Sequence, residues 1–433
     1  MGVYFGTDGY RGIYGQTLSP DITYKIGNSL ARLCVGNRKV LIGRDTRASG
    51  SLLTLSLASG LLSYGVSVVD IGIAPTPAVA YITKKLGFDY GVVISASHNP
   101  KNYNGIKVFD KHGFKISEQE EDEIERNLLY VQETINDHLG KYRYSPKLKK
   151  LYKESLSSAA GDLGGLKIAL DLANGASYQI AKELFKKKGA QIVVRHDGCN
   201  GKKINVECGA LYPEVIAALT VENGCDMGFA FDGDADRIIA CDEYGKVLDG
   251  DDILYLLSRK TATKNVVGTS MTNKGLELAL QATGQKLLRA DVGDKYVSEM
   301  MRKHDASLGG EPSGHIINHN LSTTGDGVLT ALCIASIVKE EKRPLSQLAS
   351  LQKLPQINKN VEVIDKYRLL NSDILSAKII QVSKEIDENG RLLVRASGTE
   401  SKLRVMCEHI SIEKALQYVD EIATLITQLN KKD

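Results

Sequence analysis

Short apolar runs alternate along the chain with amphipathic segments, and this alternation sets the expected elements. Ser19-Pro20-Asp21 has the form of a helix N-cap with proline at the first helical position, and predicts a helix through about Leu33. Val40-Leu41-Ile42-Gly43 is a short apolar run ending in Arg44-Asp45, a buried strand that reaches a polar edge. A helix over 53–62, a strand over 66–71, a helix over 78–86 and a strand over 90–94 follow. The alternation returns with strands at 166–171, 192–195, 227–231 and 238–240 and helices at 178–188 and 213–223. A third round has a helix at 251–257, a strand at 266–269, a helix at 274–281, a strand at 286–289 and a helix ending near Arg302, before Ser307-Leu308-Gly309-Gly310. Such alternation predicts sheets covered by helices. Three rounds of about 100 residues with similar wiring predict a structural triplication, although no residue-level repeat is visible.

The tail has a different pattern. Residues 361–363, 379–382, 391–395 and 403–407 predict four strands, with Asn389-Gly390 as a turn before the third. Ile412, Ala415, Leu416, Val419, Ile422, Ala423, Ile426 and Leu429 form a stripe at helical spacing and predict a last helix with one core face. The fold class expected is therefore α/β: three similar α/β domains plus a smaller C-terminal α+β domain. Polar stretches near Pro146, Gly250 and Asn358 divide the chain into 1–147, 148–250, 251–358 and 359–433.

Composition narrows the function classes. The chain has 433 residues, 42% hydrophobic and 25% charged, which excludes a disordered, collagen-like or coiled-coil protein. Lys plus Arg is 55 and Asp plus Glu is 52, so the net charge of +3 lacks the basic excess of a nucleic-acid binder. Anion binding has to come from local clusters. No apolar run is long enough to span a membrane. The first residues lack the basic and apolar regions of a signal peptide, so a cytoplasmic location is expected. The seven cysteines are scattered, odd in number and without a CxxC pair, which reads as reduced thiols rather than zinc ligands or disulfides.

Four loops carry candidate chemistry. Asp232-Gly233-Asp234-Ala235-Asp236-Arg237 sets three carboxylates at alternate positions, which can converge on one hard cation. A calcium EF-hand competes, with Glu243 at loop position 12, but Arg237 occupies the position that needs glycine and the flanks look like strands. A solvated acidic turn is the third reading. Ile94-Ser95-Ala96-Ser97-His98-Asn99-Pro100 ends an apolar strand in small hydroxyl residues, where a sheet protein places reactive groups. Ser97 beside His98 suggests a nucleophile, yet no GxSxG elbow is present, and a plain turn or helix N-cap is equally open. Lys107 stands on a short apolar run and, taken alone, reads as a solvated strand lysine rather than a base. Gly309-Gly310-Glu311-Pro312-Ser313-Gly314-His315 joins exposed backbone to groups suited to sugar hydroxyls. Arg395-Ala396-Ser397-Gly398-Thr399-Glu400, closed by Arg404, has the makings of a phosphate cradle, though it is not a P-loop. Polar surface turns are the plain alternative for both.

Taken in order, SASHNP, DGDADR, GEPSGH and RASGTE resemble the serine, metal, sugar and phosphate loops of the α-D-phosphohexomutase family, one in each expected region. GTDGYRG, GRDTR, PTPAVAY, DLANGA, CGA, VGDKYV and TTGDG are similar to the branch of that family that acts on glucosamine phosphates. Three positions depart from that branch: Pro312 replaces a Gln, Ser401 a Pro, and Lys295 an Arg.

The resemblance implies four domains around a central cleft and interconversion of glucosamine 6-phosphate and glucosamine 1-phosphate through a phosphoserine and a bisphosphorylated sugar. It implies that Ser97 carries the activating phosphate and that Asp232, Asp234 and Asp236, with Ser97, hold one Mg²⁺. By the same resemblance Arg237 and His98 contact the transferring phosphoryl group, Lys107 is the general base, and Arg11 lines the cleft. Gly310, Glu311, Ser313 and His315 form the sugar loop, and Arg395, Ser397, Gly398, Thr399 and Arg404 hold the non-reacting phosphate. The implied partners are sugar phosphates, with no nucleic acid or membrane, for a monomer or homodimer. A sister mutase for mannose or glucose phosphates, and a non-catalytic calcium- or phosphosugar-binding protein, are the rival readings.

Overall fold

Three of the four sheets share one wiring. The computed structural model describes residues 5–6, 8–128, 138–397 and 400–431. In the first sheet the strands Lys39–Arg44, Ser67–Ile73 and Tyr90–Ile94 run parallel, and Tyr103–Asp110 returns antiparallel to the third. In the second, Lys167–Asp171, Gln191–Arg195 and Met227–Phe231 run parallel, and Ile238–Asp242 returns. In the third, Asn265–Thr269, Lys286–Ala290 and Leu308–Gly310 run parallel, and Ile316–Asn318 returns. Numbered within each round, the spatial order is 4-3-1-2 every time. The first two sheets add edge strands to this common core. The expected triplication therefore exists at the level of topology.

The third strands Tyr90–Ile94 and Met227–Phe231 are buried at every residue, as parallel strands covered on both faces must be. In the first sheet, Val40, Ile42, Val92 and Ile94 pack with Ile26, Leu30, Leu57 and Leu61 of the helices Pro20–Leu33 and Gly50–Ser63. Gly43 and Gly91 instead approach Val79 and Thr83 of the helix Thr76–Leu86. Among the described residues, no helix is long and apolar enough to cross a membrane.

The chain separates into two compact units, residues 1–272 with 284–350, and residues 273–283 with 351–433. The second unit holds a three-stranded antiparallel sheet ordered Gln356–Glu362, Lys402–His409, Gly390–Ala396. The helix Lys274–Ala282 belongs to it: the Lys274 N–H donates to Glu408 Oε2 at 2.8 Å and Nζ to the Gly390 carbonyl at 2.8 Å.

Several expectations are corrected here. Residues 379–382 lie in the helix Asp373–Ile386, so the tail sheet has three strands, not four. Leu375, Ile379, Val382 and Ile386 pack into the tail core at helical spacing, a pattern that the short, mostly apolar run Ile379-Ile380-Gln381-Val382 concealed. Ile412 and Leu416 of the last helix, Ile412–Asn430, are half exposed at 51% and 50%, while Ala415, Val419, Ile422 and Ile426 are buried. The helix Gly327–Glu341 was not expected, because it is apolar nearly all round and shows no polar face.

The helices Pro20–Leu33 and Gly50–Ser63 cross closely at two glycines. A Cβ at position 60 would stand 2.1 Å from the Tyr24 carbonyl oxygen, and one at position 27 would stand 2.3 Å from that of Leu57. Gly60→Ala should force these helices apart and destabilise the unit by roughly 1–3 kcal/mol. The check is the thermal midpoint by circular dichroism; an unchanged midpoint would show that the crossing is not close-packed.

Candidate active site

The three rounds place their third-to-fourth strand connections at equivalent positions, at the carboxyl ends of parallel strands where open α/β sheets bind ligands. Those connections are residues 95–102, 232–237 and 311–315, which contain the serine loop, the acidic loop and the sugar loop. Hydrogen bonds join them. Ser97 Oγ donates to Asp232 Oδ2 at 2.5 Å, and the Ile238 N–H donates to the Gly314 carbonyl at 3.0 Å. The acidic loop is the turn of a β-hairpin between Met227–Phe231 and Ile238–Asp242, which disposes of the helix-flanked EF-hand reading.

Ser97 is fully buried and holds a left-handed backbone, φ 51°. A non-glycine residue is rarely found there, and such outliers persist only where their surroundings enforce them. The Ser97 N–H donates to Ser95 Oγ at 2.9 Å, and Ser95 Oγ donates to Asp45 Oδ2 at 2.6 Å. His98 Nδ1 lies 3.3 Å from Ser97 Oγ. Burial, with Arg237 and Arg11 nearby, pushes His98 down to about 3, so its imidazole is neutral.

Asp232, Asp234 and Asp236 are each at most 2% exposed. Three negative charges so deep need partners. Lys107 Nζ donates to Asp234 Oδ2 at 2.9 Å and to Asp236 Oδ2 at 2.8 Å, and lies 3.2 Å from Asp8. Lys107 is 1% exposed, so the solvated-strand reading does not hold. Thr76 Oγ1 donates to Asp234 Oδ2 at 2.5 Å, and the Arg237 N–H to Asp232 Oδ1 at 3.1 Å. Burial, together with Asp236 and Asp234, holds Asp232 well above the usual carboxylate range. Burial pushes Asp236 the same way, but Lys107 and His315 outweigh it and hold the group well below that range. Burial alone would lower Lys107, yet Asp234 and Asp236 raise it, so it is an ammonium. Arg237 is raised likewise, Asp236 and Asp232 overcoming its burial.

The donor set fits a hard cation. One oxygen from each of the three aspartates can be chosen so that all lie within 4.8 Å of one another. Asp234 Oδ1 and Asp236 Oδ1 are buried and, among the described residues, accept no hydrogen bond. All-oxygen donors suit Mg²⁺ better than a softer metal. A second grouping, Asp171, His196 and Cys208, is less suited. Asp171 already accepts from the N–H groups of Ala173 and Gly209 at 3.0 Å each and has His196 Nδ1 at 3.1 Å. Burial and Asp171 push the Cys208 thiol up to about 12, so it keeps its proton. This grouping anchors a loop.

The sugar loop reaches the same carboxylates. His315 is 2% exposed, with Nδ1 3.8 Å from Asp236 and Nε2 3.4 Å from Asp294. Glu311 is 8% exposed and accepts from the Gly293 N–H at 3.1 Å. Gly310 pairs with Ile316 in the hairpin, and Ser313 is exposed at its tip. Arg11 donates to Asn99 Oδ1 at 2.6 Å and pairs with Asp8. Lys295, which departs from the family pattern, is buried and donates to Glu121 at 2.8 Å.

In the second unit, Arg395 and Arg404 face each other across adjacent strands, and Arg404 donates to Ser397 Oγ at 3.3 Å. Gly398 and Thr399 lie outside the described residues. Lys366, which sequence reasoning missed, donates to the carbonyls of Ser397 at 2.6 Å and Glu400 at 3.2 Å. Also missed were Asp8, Thr76, Lys115 and Asp294. Lys115 pairs with Asp8 and lies 2.6 Å from Asp294. Asp8, Thr76 and Asp294 lie within the quoted GTDGYRG, PTPAVAY and VGDKYV segments, whose polar residues among small or apolar neighbours were the available signal.

Comparison with known proteins defines the class. Models of the phosphoglucomutase/phosphomannomutase family match alpha/beta/alpha domain I at residues 2–134, domain II at 143–245, domain III at 249–354 and the C-terminal domain at 334–425. The chain belongs to the α-D-phosphohexomutase family and is a phosphosugar mutase, an isomerase. Within the family it is similar to phosphoglucosamine mutases: that of Pelotomaculum thermopropionicum is 42% identical over 99% of this chain and 100% of its own. The crystal structure of a phosphoglucomutase/phosphomannomutase family protein from Burkholderia thailandensis shares the fold, with TM-score 0.84, 24% identity and coverage of 98% and 97% of the two chains. So does Aspergillus fumigatus N-acetylphosphoglucosamine mutase in complex with GlcNAc-6P and magnesium, with TM-score 0.64, 19% identity and coverage of 99% and 96%.

A cation bound by the native carboxylates stabilises the fold by mass action. Mg²⁺ added to chelator-treated protein should raise the thermal midpoint, and Asp234→Asn should remove most of that rise. An equal rise in the variant would place the ion elsewhere.

Proposed function

We propose that the protein interconverts glucosamine 6-phosphate and glucosamine 1-phosphate through a phosphoserine at Ser97 and a bisphosphorylated sugar intermediate. The observation that carries the reading is the buried Ser97 Oγ, held 2.5 Å from Asp232, with Lys107 bound to the other two aspartates. We assign 1–147 as the phosphoserine region, 148–250 as the metal region, 251–358 as the sugar region and 359–433 as the phosphate region.

Phosphoryl transfer asks for positioning and charge neutralisation more than for covalent chemistry from the protein. In the first half-reaction the bond from phosphorus to Ser97 Oγ breaks as a bond to a sugar hydroxyl forms. In the second the other phosphate of the bisphosphate returns to Ser97. Asp232, Asp234 and Asp236, with the Ser97 phosphate, would hold one Mg²⁺. When bound, that ion would neutralise carboxylate and phosphoryl charge and compete with Lys107 for Asp234 and Asp236. Arg237 and the neutral His98 donate to the phosphoryl oxygens, with Arg11 beside them. Lys107 is assigned the proton of the attacking hydroxyl; as an ammonium held by Asp234 and Asp236 it has first to pass one of its own protons to a carboxylate. Glu311, Ser313 and His315, on the backbone shaped by Gly310, bind the sugar. Arg395, Ser397, Gly398, Thr399 and Arg404 grip the phosphate that is not reacting. Because the intermediate must reverse, that grip has to accept either phosphate.

The amino-sugar assignment is supported by the likeness to phosphoglucosamine mutases and by Glu311, a buried carboxylate suited to an ammonium at C2. Pro312 lacks the amide of the usual Gln, and one net hydrogen bond is about 1 kcal/mol, roughly five-fold in selectivity. We therefore expect a preference for glucosamine phosphate with measurable glucose phosphate activity. The experiment is kcat/KM for glucosamine, glucose and mannose phosphates side by side. A neutral hexose phosphate ahead by about tenfold, or 1.4 kcal/mol, would move the substrate to the sister mutases.

Lys107→Ala should lower kcat by roughly 10²-fold or more with little change in KM, as loss of a general base does. Steady-state kinetics decide this; a raised KM at unchanged kcat would make Lys107 a binding residue.

A further inference from the structure

We propose that Arg47 and Asn205 are positioning residues that hold Ser97 in its left-handed conformation and so aim its Oγ at the reacting phosphorus. The proposal rests on the phosphoserine reading above and extends it to residues outside those assigned to the substrate or the ion.

Arg47 is 3% exposed, and its whole guanidinium is engaged. Nε donates to Asp45 Oδ2 at 2.9 Å. One terminal nitrogen donates to the carbonyls of Pro100 at 2.5 Å and Tyr103 at 2.9 Å. The other donates to those of Ser97 at 2.9 Å and Asn99 at 2.8 Å. Three carbonyls of the serine loop and that of Tyr103, which opens the following strand, thus converge on one planar fork, a geometry that lysine cannot reproduce. Asn205 completes the clamp. Its Nδ2 donates to the same Ser97 carbonyl at 2.7 Å and to that of Asn99 at 3.2 Å. With the Ser97 N–H on Ser95 Oγ, both the N–H and the carbonyl of the serine are fixed.

The second region is shaped to deliver Asn205. Asn205 itself has φ 56°, a conformation that asparagine tolerates better than most residues. Its N–H donates to the Ala173 carbonyl at 3.1 Å, and Ala173 is held by Asp171. Gly233 leaves room for the contact: a Cβ there would lie 2.7 Å from the Ser97 carbonyl oxygen and 3.0 Å from Asn205 Nδ2. Thr46 offers a contrast. Its Oγ1 donates to the Asn174 carbonyl at 2.6 Å, which joins the same two regions without touching the serine loop.

The test compares Asn205→Asp and Asn205→Gly with Thr46→Val. Asp and Gly both tolerate the left-handed backbone, and neither supplies the amide donor. Glucose 1,6-bisphosphate is the probe, and the rate at which it phosphorylates Ser97 of dephosphorylated protein is read by intact mass. Both Asn205 variants should lose kcat and phosphorylation rate together, roughly 10- to 100-fold, the scale of a small misplacement of a reacting group. KM should stay within about threefold, and the thermal midpoint near that of the unsubstituted protein. Hydrogen exchange over residues 95–103 should accelerate. Thr46→Val should keep both rates. Arg47→Lys should resemble the Asn205 variants if it folds. Unchanged phosphorylation rates in the Asn205 variants, or an equal loss in Thr46→Val, would overturn the proposal. Failure of the unsubstituted protein to take up phosphate would instead overturn the phosphoserine reading, while the exchange comparison would still decide whether the clamp exists.

Discussion

Three aspartates within five residues, all buried, impose the constraint on which the rest of the site depends. In low dielectric, like charges this close are tolerated only beside compensating cations and hydrogen-bond donors. Lys107 comes from the first sheet to meet two of them, Arg237 adds its charge, and Thr76 and the Arg237 amide donate hydrogen bonds. Compensation continues outward through ion pairs from Lys107 to Asp8, Asp8 to Lys115 and Lys115 to Asp294, and through His315, whose ring nitrogens lie near Asp294 and Asp236. This closed ring draws on the sheet-containing regions of all three rounds in the first unit. Among the described residues, Asp234 Oδ1 and Asp236 Oδ1 still accept no hydrogen bond, so the residual demand of the cluster is for a cation.

The triplicated wiring explains how residues so far apart in the chain meet. Ser97 and Asp232 are 135 residues apart, yet each follows the third strand of its round. The same connection in the third round is the sugar loop. In the proposed function, one structural position carries three chemistries: a nucleophile, a carboxylate cluster and a hydroxyl-binding loop. The connections after first and second strands supply support rather than chemistry. Arg47 follows a first strand, and Thr76 and Asn205 follow second strands.

The parts legible in the sequence were those whose signal is local. Fully buried parallel strands appear as continuous apolar runs, and the loops that follow them stand out by glycine and charge, so the three rounds and the positions of the serine, acidic and sugar loops could be read directly. Lys107 could not be read as buried, because its burial depends on partners 127 and 129 residues away. The roles of Arg47 and Asn205 were hidden for the same reason: the serine-loop groups they reach are carbonyl oxygens, and these leave no trace in residue type. The strand expected at 379–382 failed because so short a run, three apolar residues and Gln381, fits either period, and only Leu375 and Ile386 beyond it reveal the helix. The helix Gly327–Glu341 had no polar face to set a period.

The central claim is that phosphate passes through Ser97 at each turnover. It is tested most directly by rapid quench with glucosamine 1,6-bisphosphate carrying labelled phosphate, followed by peptide mapping. The account predicts label on Ser97 that appears at least as fast as turnover and then chases into glucosamine monophosphate. Label on Ser95 or another residue, or turnover with no protein-bound phosphate, would contradict it.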